Sequence, residues 1–356
     1  MRTLCLSLAL GLAAPALAAQ TLAAVLPGPS TAAASQHEAR VAAGLEVFAS
    51  AGLRVTNTDA AGATTAPQLD LGRLHLAVDA RGPSLHARAV IEGVRSAGEG
   101  SLVGIAGDAL VLRAREAYAG FERGPVELRA GIIATLTVPE IEATWRLRAV
   151  AATPLEASSL AAPSDLGVSA RVALPRRLGW VGAMVSNGEG YSAREFNTNK
   201  RIELAASVHP SAHGRLAPLA VLVSASAGTT GVAGSRNDRV HGALLWQGVG
   251  LRGGVSFTHG WGVDDDSARR AWLAEAFVRA VWAARFIAGL RVSRWQRDTA
   301  VDADRITSWV ATVGARLDEG LELYLAMLRA VPGGRAYTAL PGSDHWDLRL
   351  VARAVF

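Results

Sequence analysis

The chain has 356 residues, half of them hydrophobic, with a formal net charge of +5 and a single cysteine. Beyond the first twenty residues no run of 18 apolar residues occurs: the nearest approach, "AWLAEAFVRAVWAARFIAGL" (271–290), is broken by Glu275, Arg279 and Arg285, which excludes an ordinary helical membrane protein. All 36 basic residues but Lys200 are arginine, and they are dispersed rather than clustered, which argues against a nucleic-acid partner.

The opening "MRTLCLSLALGLAAPALAAQ" carries one positive charge at Arg2, an apolar run from Leu4 to Ala14, and small residues at Ala16 and Ala18. It reads as a secretory signal peptide over residues 1–18, too short in its apolar run to serve as a membrane anchor. Cys5 lies inside it without a lipobox, so the mature chain is expected to hold neither a disulfide nor a thiolate metal site. A lead segment, residues 19–45, follows, and "HEARVAAGLEVF" (37–48) suggests a short helix.

From Val47 onward the pattern becomes two-periodic, cut by Gly, Pro, Asn and Asp turns. "VFASAGLRV" (47–55) puts Val47, Ala49, Ala51, Leu53 and Val55 on one face. "LHLAVDA" (74–80) turns at "RGPS" into "LHARAVIEG" (85–93), a hairpin. Segments 110–122 and 126–132 join through "RGP", and 166–174 joins 178–186 through "PRR". Further strands are expected at 201–208, 216–226, 239–246, 248–258, 271–282, 285–295, 306–317, 320–330 and 346–356, about sixteen in all. The segment 271–282 is ambiguous: Trp272, Ala274, Ala276, Val278, Ala280 and Trp282 form one apolar face, yet Leu273, Phe277 and Val281 lie opposite, and its alanines also suit a helix.

Residues 46–356 shared among sixteen strands leave about 19 residues per strand and turn, where a membrane strand uses roughly 9–11. Short turns alternate with longer gaps such as 187–200 and 227–238, as in outer-membrane barrels. Hydrocarbon offers backbone groups no partner, so a sheet spans a membrane only when it closes on itself. The expectation is an all-β, closed antiparallel transmembrane barrel over residues 46–356.

The middle of the chain resembles the phosphate-selective porin family of bacterial outer membranes. The resemblance rests on Ala117–Tyr118, Gly131, Glu142–Trp145–Arg146, Ser164–Asp165–Gly167, Asn187–Gly188–Glu189–Gly190–Tyr191 and Asn199–Lys200, and covers about residues 109–210. It implies a sixteen-stranded homotrimer with a loop folded into the pore. By position that loop is 134–163, which would bring Arg146 and Arg148 to a constriction. The family's phosphate-binding members line the lumen densely with lysine and arginine. Here there is one lysine, and Glu92, Glu127, Glu203 and Glu322 share rows with the arginines.

An arginine facing the bilayer midplane costs roughly 2–4 kcal/mol. Arg88, Arg129, Arg171, Arg201, Arg252, Arg279, Arg291, Arg349 and Arg353 are therefore expected to face the lumen. With Arg146, Arg148 and Lys200, the set Arg88, Arg129, Arg171 and Arg201 forms the candidate solute path, either as an anion route or as a structural network with the glutamates. "NGEGY" (187–191) reads as turn geometry, and the acidic "VDDDSA" (263–268) and "VDADR" (301–305) as solvated tips or divalent bridges to lipopolysaccharide. Ser256 and His259 would point to opposite faces, and no nucleophile motif occurs, so neither enzyme activity nor a metal or other cofactor is expected.

The end "HWDLRLVARAVF" reads as a last strand. Terminal Phe356, with Trp346 at an alternate position, resembles the signal by which barrel-insertion machinery recognises its clients. These expectations place the protein in the bacterial outer membrane, passing small hydrophilic solutes by passive diffusion with a lean toward anions, phosphate among the candidates. The alternative is a non-conducting barrel acting as anchor, adhesin or scaffold, and the segment 134–163 discriminates between the two.

Overall fold

The computed structural model describes residues 40–58, 62–95, 110–192, 197–339 and 344–356; the signal peptide and residues 19–39 of the lead lie outside them. In chain order the elements are β1 Arg40–Thr58, β2 Gly62–Arg81, β3 Leu85–Arg95, β4 Leu110–Arg123 and β5 Val126–Ala134, then helices α1 Val138–Trp145 and α2 Pro154–Ala157. There follow β6 Ser164–Ala173, β7 Gly179–Ser186, β8 Arg201–Val208, β9 Leu219–Ala227, and a short ribbon of β10 Thr229–Thr230 with β11 Ser235–Arg236. The remainder comprises β12 Asp238–Gln247, β13 Leu251–Val263, β14 Asp266–Trp282, β15 Phe286–Gln296, β16 Arg305–Asp318, β17 Leu321–Pro332, α3 Gly334–Ala339 and β18 His345–Val355.

All strands except the ribbon form one closed antiparallel barrel of sixteen. It closes where β1 pairs with β18, from Glu46 opposite Val355 to Thr56 opposite His345. Phe356 completes the seam: its N–H donates to the Leu45 carbonyl at 2.9 Å and its carbonyl accepts from the Leu45 N–H at 3.2 Å. Closure leaves no sheet edge unpaired, the condition for backbone in hydrocarbon. Among the described residues no helix is long and apolar enough to cross a membrane.

Alternation assigns the two faces. On β18, Trp346, Leu348 and Leu350 are exposed outward while Asp347 and Val351 are buried inward. On β8, Ile202 and Leu204 point out and Arg201 and Glu203 point in. Aromatic residues mark both rims of the outer band. Trp282 stacks with Phe286 beside the short turns, and Trp346 lies under the Arg329 guanidinium at 5.0 Å near the longer loops. Such amphipathic rings suit the two water–membrane interfaces.

One expectation changes. Within "HEARVAAGLEVF", residues 40–48 are strand rather than helix, since β1 begins at Arg40, so residues 40–45 of the lead belong to the wall. Its alanines favour helix locally, but pairing from Arg40 opposite Arg81 onward satisfies a β2 edge that would otherwise stand open. "VDDDSA" is a hairpin turn, with Asp264 and Asp265 both at positive φ (53° and 59°), the conformation that matches strand twist. The ambiguous segment 271–282 lies within β14, and its second apolar face has a use inside the barrel.

Candidate functional site: the lumen and its inner loop

Residues 135–163, between β5 and β6, fold into the lumen. Within β5, Gly131 takes a φ of 126°, and a Cβ there would meet the Ala117 carbonyl oxygen at 2.3 Å. Glu203 fastens the entry, accepting from Thr137 Oγ1 at 2.7 Å and from the Leu136 N–H at 3.4 Å. The exit is tied by Thr135 Oγ1 donating to the Ala162 carbonyl at 2.9 Å. α1 carries Pro139 in its first turn, where a missing N–H is tolerated, and ends at Arg146 in the left-handed region (φ 54°).

One side of this loop is apolar. Val138, Ile141, Trp145, Leu147, Val150, Leu155 and Leu160 are buried in a single cluster with wall residues of β9 and β12–β18. Leu222, Leu245, Leu273, Phe277, Ile287, Val310 and Tyr324 supply that wall, and the Trp145 ring meets Phe277 edge-on at 5.7 Å. The loop is therefore seated on an apolar patch of this half of the wall, beside buried Glu275, Arg279 and Arg291.

The loop's other side is charged and reaches the opposite wall. Glu140 accepts from Arg171 Nη2 at 3.2 Å and Trp180 Nε1 at 3.1 Å. Glu142 accepts from Arg115 at 3.2 Å, and Glu156 from Arg73 at 3.2 Å. Arg148 lies between them, donating twice to Glu156 (2.7 and 2.8 Å) and pairing with Glu142. Burial opposes ionisation of Glu156, but Arg148 and Arg73 outweigh it and hold its carboxyl below the ordinary value. Three carboxylates of the loop thus clasp arginines of β2, β4 and β6.

Behind the clasp, fully buried Glu92 on β3 is a hub. It accepts from Arg73 at 2.5 Å, Arg113 at 3.0 Å, Arg115 at 3.4 Å and the Tyr191 hydroxyl at 2.8 Å, with His75 at 3.2 Å. Tyr191 comes from "NGEGY", whose Gly188 and Gly190 take φ of 92° and 79°. The Gly188 N–H donates to Asp165 Oδ2 at 2.7 Å and the Tyr191 N–H to the Ser164 carbonyl at 3.0 Å. The "SDLG" and "NGEGY" motifs are one latch. Burial and the Glu92 charge push the Tyr191 hydroxyl up to about 12, so it remains a donor at neutral pH.

The residues assigned to the solute path separate into groups. Arg88 is held by Asp79 (2.7 Å) and Glu116 (3.1 Å), and Arg129 by Glu127 (2.7 Å). Arg171 is held by Glu140, with its guanidinium 3.7 Å from the Trp180 ring centroid. Arg148 is enclosed in the clasp. Arg201 is buried and donates to Ser226 at 2.8 Å. Lys200 is exposed in the loop ahead of β8. Arg146 is exposed and makes no ion pair among the described residues.

Arg146 borders a cavity of about 490 Å³ on the short-turn side of the loop, with Arg148, Arg279, Arg316 and Arg353 facing Glu46, Glu142 and Glu322. Arg353 takes Glu46 (2.6 Å) and Glu322 (2.8 Å), and Arg316 takes Glu322 (3.3 Å). Positive charge is left over at Arg146 and Arg279. Arg54, Arg73, Arg113 and Arg353, partly exposed, extend the charged lining along β18, β1, β2 and β4.

Sequence reasoning passed over Arg73, His75, Arg113 and Arg115. Strict alternation in "LRAREAY" would put Glu116 in lipid; a bulge between Val90 and Ile91 resets the register, so Arg115 and Glu116 both turn inward. That impossible glutamate was the available signal. Ser256 faces inward and donates to Glu275 at 3.0 Å, while His259 stands on the outer face against Trp261 at 4.4 Å.

Solved outer-membrane porins share this architecture. The anion-selective porin from Comamonas acidovorans matches with a TM-score of 0.62 at 14% identity, over 90% of this chain and 100% of that one. Salmonella typhi OmpF, solved with daunomycin, gives 0.66 at 10% identity over 89% and 97%. The outer-membrane channel DcaP of Acinetobacter baumannii gives 0.60 at 8% over 89% and 97%. The likeness is one of fold: the chain has the barrel of bacterial outer-membrane porins. No family model matches the chain, and no curated protein matches it in sequence.

Proposed function

We propose that the chain is an outer-membrane channel through which small hydrophilic solutes diffuse passively, with a preference for anions that extends to phosphate. The observation that carries this reading is the division of the lumen. The inner loop is packed dry against one half, while the other half keeps partly exposed arginines along β18, β1, β2 and β4. A channel selects by the charge and radius of its narrowest ring. In this reading that ring comprises the loop carboxylates against Arg73 and Arg115, with Arg146 and Arg279 adding positive charge on the short-turn side. The anion-selective porin among the fold neighbours supports the same preference.

The reading includes export through the signal peptide of residues 1–18, insertion guided by Phe356 and Trp346, contact with lipid and lipopolysaccharide, and assembly as a homotrimer. A fold neighbour, Vibrio cholerae OmpT, was solved in a trimer form. The test is the conductance of the refolded protein in a planar bilayer under a salt gradient. Discrete steps with an anion-selective reversal potential are expected.

One observation favours a second reading, a non-conducting barrel serving as anchor or scaffold: the clasp joins loop to wall at three places across the lumen. A folded barrel that carries no current would establish it.

A further inference from the structure

On the long-loop side of the inner loop, a cavity of about 480 Å³ lies between residues 150–158 and the inner faces of β14–β18. Its body is apolar, formed by side chains such as Leu273, Val310 and Leu328. Into it face Arg291, Trp295 and Arg349. Each has a buried N–H nitrogen, Arg291 Nη1, Trp295 Nε1 and Arg349 Nε, with no hydrogen-bond acceptor among the described residues.

Unanswered buried donors are costly, and native interiors contain few of them. Arg291 is only 6% exposed, and its guanidinium sits 4.8 Å from the Trp145 ring centroid, which fixes its plane. Its neighbouring carboxylate, Glu275, accepts from Ser256 through Oε1 at 3.0 Å; its Oε2 has no hydrogen-bond partner, and it makes no ion pair with Arg291 among the described residues. Arg349 shares Asp347 with Arg54, so two arginines answer one carboxylate there. Gly52 makes room for this arrangement, since a Cβ at that position would meet Arg349 Cγ at 2.9 Å.

The three orphaned groups are all donors, and two belong to cations. The rest of the lining is mostly apolar, with Ser158, Ser293, Ser308, Arg329 and His345 as its other polar members, which suits an apolar body better than a hydrated inorganic ion. A ligand that satisfies both features has a compact apolar body and one anionic acceptor, at a scale within the ordinary range of small-molecule pockets.

We propose that this cavity binds a small aromatic or otherwise apolar monocarboxylate. Its carboxylate accepts from Arg291, with Trp295 and Arg349 completing the donor set, and its ring lies against Leu273, Val310 and Leu328. The site is distinct from the charged cavity on the short-turn side, and binding there does not require conduction.

The test is calorimetric titration of the refolded barrel in detergent with benzoate, using benzyl alcohol and inorganic phosphate as comparators and empty micelles as blank. Saturable benzoate binding is expected, with neither comparator matching it. A charge-assisted hydrogen bond predicts at least about tenfold weaker binding in Arg291→Gln, weaker binding in Arg349→Gln, and unchanged binding in Arg285→Gln at an exposed turn. Heat-modifiable gel migration reports folding of each variant, and Arg349→Gln carries the test if Arg291→Gln does not fold. Absence of benzoate binding, equal binding in the folded arginine variants, or equal affinity for benzyl alcohol or phosphate would overturn the proposal. Because the readout is binding alone, a barrel that binds benzoate but passes no current contradicts the channel reading and not this one.

Discussion

The inner faces of the two halves of the barrel follow the same alternation and end in opposite chemistry. On β9, β12 and β14–β17 the inward positions include Leu222, Leu245, Leu273, Phe277, Ile287, Val310 and Tyr324, all covered by the inner loop. On β18 and β1–β6 they include Arg54, Arg73, Arg113, Arg115, Arg171 and Arg353, matched by carboxylates. Apolar inner-face residues gather where the loop is seated, with Glu275, Arg279 and Arg291 buried among them. Where the loop is seated, β14 carries apolar residues on both sides, Leu273 and Phe277 inward for the loop and Trp272 and Val278 outward.

The largest effect is expected from unseating the loop. Trp145→Ala removes the ring packed against Phe277 and Arg291, a loss of roughly 3–5 kcal/mol from the seat. Protease cleavage within 135–163 and a larger single-channel conductance are expected, with barrel migration on gels unchanged. A smaller effect follows from opening the clasp. The double variant Glu142→Gln, Glu156→Gln leaves Arg73, Arg115 and Arg148 less compensated and loosens the loop by about 1–3 kcal/mol. The reversal potential should move toward stronger anion preference, and an unmoved one would show that solutes do not pass these arginines.

Arg146→Glu leaves both walls intact and reverses the exposed charge at the short-turn cavity. Anion preference should fall while unfolding in denaturant changes by under about 0.5 kcal/mol. The mildest probe is acid. Glu156 is held below its ordinary 4.5 because Arg148 and Arg73 outweigh the opposing effect of burial. A depressed carboxyl stabilises the clasp fully above the ordinary value and loses that contribution as pH falls through the lowered one. The Glu156 part of the clasp should therefore persist from neutral pH down to 4.5, and any conductance change that Glu156→Gln abolishes should appear only below it.

All sixteen barrel strands were legible in the sequence because lipid imposes period-two patterning on each, and turn residues punctuate them. The inward orientation of Arg129, Arg171, Arg201, Arg291 and Arg353 was legible for the same reason. What alternation could not reveal was pairing across the lumen. That Arg148 and Arg171 meet Glu156 and Glu140 depends on the path of the loop, which local pattern does not encode. The Tyr191–Glu92 contact joins residues 99 apart and was invisible for the same reason. The β4 bulge hid Arg115 by breaking the period on which the reading relied. The helix expected at 37–48 failed where alanine propensity met an edge that only a strand could satisfy.

The division of the lumen is tested most directly by thiol accessibility during conduction. Ser50→Cys places a thiol on the inner face of β1, on the charged side, and Ala220→Cys places one on β9 beneath the loop, where Ala220 is fully buried. A small charged, membrane-impermeant thiol reagent should modify Cys at position 50 and reduce the current in steps, while leaving position 220 unreacted. Rapid modification at position 220 with no change of current at position 50 would contradict the account.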